Sequence, residues 1–260
     1  MKVLVCIPAR YGSTRFPAKV LARDTGKFLI QHTYEQALLA KTVDKIMIAT
    51  DSEEIRQACE SFGATCVMTS IDHKSGTDRI AEAIAYIDVE IIVNLQADEP
   101  EIDPVNIDYL GKLLLDNPYY PMATLVTEFQ TKEKIKDPNT VKVITDSKNN
   151  AIYFSRSIIP FDREAGGVGN IDGFQRHLGI YAYRKDFLLK ITSLPQTSLE
   201  KTEKLEQLRV IENGFAILVG KVKHTCDSID TPQQYADFVK RYDKNTTELC
   251  AEGLLPREGY

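Results

Sequence analysis

The chain opens on five β-favouring residues, Val3-Leu4-Val5-Cys6-Ile7, that run directly into Pro8-Ala9-Arg10-Tyr11-Gly12-Ser13-Thr14-Arg15-Phe16-Pro17-Ala18-Lys19. An apolar run with no polar alternation reads as a strand buried on both faces of a parallel sheet. A strand that ends abruptly in a polar, cationic loop is where open α/β sheets bind ligands. Arg10, Arg15 and Lys19 in that loop suit a polyphosphate, because guanidinium grips phosphate oxygens in a fork and ammonium adds a point charge. G-x-x-x-x-G-K-[ST] and G-x-G-x-x-G are both missing here, so cationic side chains would do what glycine-rich backbones do in other nucleotide folds.

The next elements repeat the pattern. Phe28–Ala40 has helical apolar spacing and Lys45–Thr50 reads as a strand. Asp51-Ser52-Glu53-Glu54 reads as a capping box with Asp51 at the cap, opening a helix that Gly63 stops. Thr65–Met68 is a short strand, Ser75-Gly76-Thr77-Asp78 opens a helix through Ile87, and Glu90–Leu95 is a strongly apolar strand. Such alternation implies a mainly parallel sheet with right-handed crossovers and helices on both faces. After about residue 118 the rhythm changes. Val141–Thr145 and Ala151–Phe154 flank a polar turn and predict a β-hairpin. Gly166–Gly173 reads as a mobile glycine-rich loop. His177–Tyr183 and Phe215–Val222 read as strands, Lys185–Thr192 and Pro232–Tyr242 as helices, and Leu205–Arg209 as part of a helical stretch. The expectation is one α/β domain over 1–244, with 119–184 a β-rich insertion and 245–260 a flexible tail.

Composition narrows the function classes. A net charge of −5 over 260 residues argues against a nucleic-acid binder. No stretch has the length of a membrane span, and the N-terminal apolar run is too short for a signal peptide. The five cysteines are odd in number and form no C-x-x-C pair, which points to a reducing cytoplasm rather than a disulfide or zinc framework.

Several clusters carry potential chemistry. Asp98, in Asn94-Leu95-Gln96-Ala97-Asp98-Glu99-Pro100, follows the most apolar strand, where an acid is well placed to hold Mg²⁺ beside substrate phosphates. In Asp227-Ser228-Ile229-Asp230-Thr231-Pro232, spacing alone makes Asp230 or Thr231 a helix cap with Pro232 in the first turn. Ser75 and Gly76, with Thr77 and Asp78, put small residues and exposed N–H groups at a helix N-terminus, where they can read a phosphate or a base edge. Arg156, His177, Glu206 and Gln207 could each meet an acidic, polyhydroxylated ligand. Singly, each reads as well as a surface salt bridge or a satisfied polar side chain.

Taken together, these segments resemble the CMP-Kdo synthetase family, the 3-deoxy-manno-octulosonate cytidylyltransferases. The matching stretches are Ile7–Pro17, Gln31-His32, Ala49-Thr50-Asp51, Ser75–Arg79, Asn94-Leu95-Gln96, Asp98-Glu99-Pro100, Tyr153–Pro160, His177–Arg184, Lys204–Arg209, Glu212-Asn213-Gly214 and Asp230-Thr231-Pro232. The resemblance implies a nucleotidyltransferase-type, Rossmann-like α/β fold, a homodimer, and transfer of CMP from CTP to an acidic ulosonic sugar with Mg²⁺, for lipopolysaccharide synthesis. It implies a catalytic set of Arg10, Arg15, Lys19 and Asp98, the three cations clamping the triphosphate. It further implies that Ser13, Ser75, Gly76, Thr77 and Asp78 bind nucleotide and that Gln96, Arg156, His177, Tyr181, Glu206 and Gln207 bind sugar. Asp98 and Asp230 would be the metal ligands, which reverses the capping preference for Asp230. No residue stands out as a general base. The family usually has glycine where Ala18 and Ala97 stand, proline where Val20 stands, and a glycine-containing approach to Asp230-Thr231-Pro232. A positive φ at Ala97 would mean strain beside the acid. These departures keep two alternatives open: activation of the 8-amino analogue or another ulosonic acid such as sialic acid, and a non-catalytic relative.

Overall fold

The structure is a computed structural model that describes residues 1–12, 16–223, 225 and 227–251, with side chains to 244. Strand β1 (Val3–Ala9) is buried along its whole length. It lies between β2 (Lys45–Thr50) and β4 (Ile91–Asn94), parallel to both, and β3 (Cys66–Met68) extends the parallel set beyond β2. The connecting helices α1 (Leu29–Leu38), α2 (Glu53–Ser61) and α3 (Gly76–Ile84) follow the predicted rhythm. Alternation along β1 sorts the core into two layers. Val3, Val5 and Ile7 pack with Ile30, Ile55 and Leu110, whereas Leu4 and Cys6 pack with Ile80, Ile84 and Leu188. A strand must be apolar at every position to feed both layers.

Beyond β4 the sheet departs from simple parallel order. Helix α4 (Pro104–Asp116) leads to β5 (Met122–Glu128) and the short α5 (Lys132–Lys136). The predicted hairpin forms as β6 (Lys142–Thr145) and β7 (Ala151–Ser155), its turn held by Asp146, which accepts from the Lys148 and Asn150 amides at 2.8 Å each. Strand β8 (Gln175–Arg184) then enters from the opposite end and inserts antiparallel between β4 and β5. Helices α6 (Lys185–Ser193), α7 (Ser198–Glu203) and α8 (Leu208–Glu212) lead to β9 (Ile217–Lys221), parallel to β5, and α9 (Pro232–Ala251) closes the described chain. The order β3-β2-β1-β4-β8-β5-β9 is a mostly parallel α/β sheet with one inserted antiparallel strand. Among the described residues no helix is long and apolar enough to cross a membrane.

Local expectations shift in four places. Ser52, not Asp51, caps α2, accepting from the Ile55 amide at 3.3 Å, because the Asp51 carboxylate is taken by Arg79. The Gly166–Gly173 loop packs back through Val168 and Ile171 onto Phe129, Ile135 and Phe174. Leu205–Gln207 is a turn between α7 and α8, opened by Lys204 in the left-handed region at φ 55°. Helix α9 continues past the expected tail boundary to Ala251. Its Tyr235 and Phe238 pack on Leu29 and Ile229.

Candidate active site

Two neighbouring cavities open where β1 and β4 end. The smaller, about 190 Å³, is lined by Pro8, Arg10, His73, Ser75, Gly76 and Gln96, among others. Gly76 packs tightly there: a Cβ at this position would lie 3.0 Å from Pro8 Cγ, so Pro8 would have to give by a few tenths of an ångström. The missing Cβ lets the N-terminus of α3 approach the end of β1. Ser75 caps that helix, accepting from the Asp78 amide at 3.0 Å. Arg79, also at this cavity, is buried and donates to Thr69 Oγ1 at 2.6 Å and to the Asp51 carboxylate, so it braces the strand ends. Thr77 and Asp78 do not line the cavity: Thr77 is buried and faces Glu206 and Tyr183. Ser13 and Arg15 lie outside the described residues.

The larger cavity, about 300 Å³, is lined in part by Gln96, Asp98, Glu99, Arg176, His177 and Gln207. Tyr181 lines it too, brought close by an irregularity in β8. Pairing with β5 jumps from Tyr181–Thr124 to Leu178–Leu125, so Gly179 and Ile180 bulge out of register. Side chains four apart on a regular strand sit about 13 Å apart, yet the His177 and Tyr181 rings are 5.5 Å apart, centroid to centroid. Burial holds His177 neutral, its pKa down at about 3, and its Nε2 meets Thr124 Oγ1 at 3.1 Å. Gln207 is 4% exposed, and its Nε2 finds no partner among the described residues. A buried, unpaired amide donor at a cavity wall is costly unless a ligand oxygen satisfies it.

Gln96 belongs to both cavities and Asp98 to the larger one, whereas Lys19 and Asp230 line neither. Lys19 Nζ donates to the Asp98 carboxylate, to Asp230 Oδ1 at 3.2 Å and to the Ile229 carbonyl at 2.9 Å. The two acids therefore converge on one cation. The α9 cap falls to Thr231 rather than Asp230: Thr231 Oγ1 accepts from the Gln234 amide at 3.3 Å, and Gln234 Oε1 accepts from the Thr231 amide at 2.9 Å. Glu99, beside Asp98, has its pKa pushed up to about 8 by burial and then by the Asp98 charge.

The left-handed strain falls at Ala18, not Ala97. Ala18 has φ 52° and ψ 26°, whereas Ala97 is not among the described non-glycine residues of positive φ. Ala97 keeps ordinary backbone, and its carbonyl accepts from Thr33 Oγ1 at 3.1 Å.

Two of the expected sugar residues stand elsewhere. Arg156 spends its guanidinium on carbonyls, those of Glu203 at 2.7 Å and Pro138 at 3.0 Å, and braces the hairpin against α7. Glu206 faces the Ser75 and Thr77 hydroxyls, at the start of α3, with its pKa raised by burial. The guanidinium that does line the larger cavity is Arg176, which sequence reasoning missed. On a regular strand Arg176 and His177 would face opposite ways, so only proximity to His177 in the chain could have flagged a residue that lines the same cavity.

The profile of the Cytidylyltransferase family matches residues 4–222. A 3-deoxy-manno-octulosonate cytidylyltransferase of Syntrophotalea carbinolica is 46% identical over 238 residues, 90% of this chain and 95% of that protein. An 8-amino-3,8-dideoxy-manno-octulosonate cytidylyltransferase of Shewanella frigidimarina is 47% identical over 237 residues, again 90% and 95%. The solved structure of a CMP:2-keto-3-deoxy-manno-octonic acid synthetase complexed with CTP superposes with a TM-score of 0.88 at 39% identity, covering 94% of this chain and 100% of that one. With the sheet order and paired cavities, these likenesses place the chain in the cytidylyltransferase family, in the group of the 3-deoxy-manno-octulosonate cytidylyltransferases.

Proposed function

We propose that the protein transfers CMP from CTP to the anomeric hydroxyl of 3-deoxy-manno-octulosonate, releasing pyrophosphate. The observation that carries this reading is the junction: Gln96 walls both cavities, Asp98 lines the larger one, and Asp98 shares the Lys19 ammonium with Asp230. Nucleotide would occupy the smaller cavity, where Arg10 and the α3 N-terminus meet phosphate or base. The sugar would occupy the larger one, its carboxylate on Arg176 and its hydroxyls on Gln207, His177 and Tyr181.

The paired acids also fit Mg²⁺, since a hard divalent ion takes one or two carboxylates and completes its shell with phosphates and water. The ion would supply charge neutralisation at the α-phosphorus and the departing pyrophosphate. The chain's own contribution is positioning. Gln96 sits where the two substrates would meet. Holding the hydroxyl in line with the α-phosphorus converts an encounter into an intramolecular step.

The test is pyrophosphate release with CTP, Mg²⁺ and 3-deoxy-manno-octulosonate, run beside the 8-amino analogue and sialic acid. Asp98→Asn should lower turnover by about two orders of magnitude with the fold intact. Release only with another sugar would move the substrate. CTP binding without release from any sugar would make the protein a non-catalytic relative. Near-normal activity of the variant would remove Asp98 from the reaction.

A further inference from the structure

The charge of Arg176 is already engaged. Its Nη2 donates to Asp227 Oδ1, and Asp227 Oδ2 accepts from Lys134 Nζ of α5 at 3.1 Å. Asp227 thus bridges a cavity cation and a second cation, Lys134, that lies outside the cavity lining. It does not line the cavity itself, but its neighbour Ser228 does. The Asp227 side chain is 50% exposed and that of Arg176 is 22% exposed, so the pair sits at the mouth. The same short segment then reaches the acids, because the Ile229 amide donates to the Asp98 carbonyl at 2.9 Å and Asp230 meets Lys19. This is the run that departs from the family's glycine-containing sequence.

A carboxylate on a substrate-facing guanidinium is chemically equivalent to the carboxylate an ulosonic sugar would bring. We propose that Asp227 is a positioning residue and an internal stand-in for the substrate carboxylate: it holds Arg176 at the cavity mouth, and the acidic sugar displaces it. The inference rests on reading the larger cavity as the acidic-sugar site. The exchange strands no charge. Arg176 passes from one carboxylate to another, and Asp227 keeps Lys134. An unpaired guanidinium or carboxylate in a partly buried site would be costly, so a three-membered relay is favoured over a simple gap. Because Asp227 is half exposed, its competition for Arg176 is modest, a factor of roughly two to five in sugar affinity.

The test measures KM for the sugar and for CTP in the full-length protein, for Asp227→Asn and Asp227→Ser. Both variants should lower the sugar KM about two- to five-fold and leave the CTP KM unmoved. Inhibition by an analogue whose carboxylate is reduced to an alcohol should be equal in the wild-type protein and in Asp227→Asn, which a purely structural role would not require. In an Arg176→Gln background the sugar KM should be high, and adding Asp227→Asn should no longer lower it. A sugar KM unchanged or raised in both Asp227 variants overturns the stand-in while leaving the cavity assignment in place. A sugar KM insensitive to Arg176→Gln overturns the cavity assignment itself, and the stand-in with it.

Discussion

Replacing Ala18 with glycine should stabilise this protein, a result opposite to the usual effect of introducing glycine. Ala18 holds φ 52° and ψ 26° where the cationic loop turns into the 3₁₀ turn Lys19–Leu21, and its carbonyl accepts from the Leu21 amide at 2.8 Å. The left-handed conformation costs a residue bearing a Cβ about 1–2 kcal/mol. Glycine escapes that cost but surrenders about 0.5–1 kcal/mol in added freedom of the unfolded chain. The difference leaves about 0.5–1 kcal/mol in favour of Ala18→Gly. For a domain of this size that is a rise of about 1–4 °C in Tm. Ala18→Val is the opposing arm: a β-branched residue fits the left-handed region worse still and should lower Tm. Urea melts with an unchanged m-value and thermal melts at fixed pH read both variants. A lower Tm for Ala18→Gly, or a neutral Ala18→Val, would mean that residue 18 does not adopt the left-handed geometry. The position precedes Lys19, so the same turn aims the ammonium that joins Asp98 to Asp230.

Two further outcomes follow from the interior. Glu200 and Arg209 form a bidentate pair at 2.6 and 2.8 Å with side chains only 5% and 6% exposed, so Glu200→Ala should cost about 3–5 kcal/mol in urea unfolding. A loss below 1 kcal/mol would show that the pair is not buried as described. Burial lowers the pKa of His32 to about 4 and that of His177 to about 3, against about 6.5 in the unfolded chain. The unfolded state then binds more protons below pH 6.5, so this contribution is intact above 6.5 and is lost as pH falls toward 4. His32→Gln should show a shallower drop in urea midpoint between pH 7 and 5 than the wild-type protein, and an equal drop would contradict the neutral His32.

Much of the architecture was legible locally. The fully apolar β1 predicted a two-faced parallel strand, the Ser75 cap and Gly76 placed the start of α3, and the Asp146–Asn150 turn predicted the hairpin. Helix α4 was overlooked although Asp103 before Pro104 signals its start: the Asp103 side chain caps the Val105 amide at 2.9 Å. Short segments such as α5 and α8, five residues each, carry too little periodicity to be read without their packing.

The sequence by itself determined the strand–helix rhythm, the cationic loop, the acid that follows the β4 strand and the motif resemblance, because backbone propensity, capping and residue spacing act over a few positions. Only the tertiary structure decided which of these groups meet. It inserted β8 antiparallel and bulged it at Gly179, which brought His177 to Tyr181. It committed Arg156 to backbone carbonyls and put Arg176 at the cavity instead. It assigned the α9 cap to Thr231, and it set Asp230 to share Lys19 with Asp98. Side-chain direction depends on register, and partner choice depends on which groups folding brings within about 3–4 Å, so neither follows from spacing along the chain.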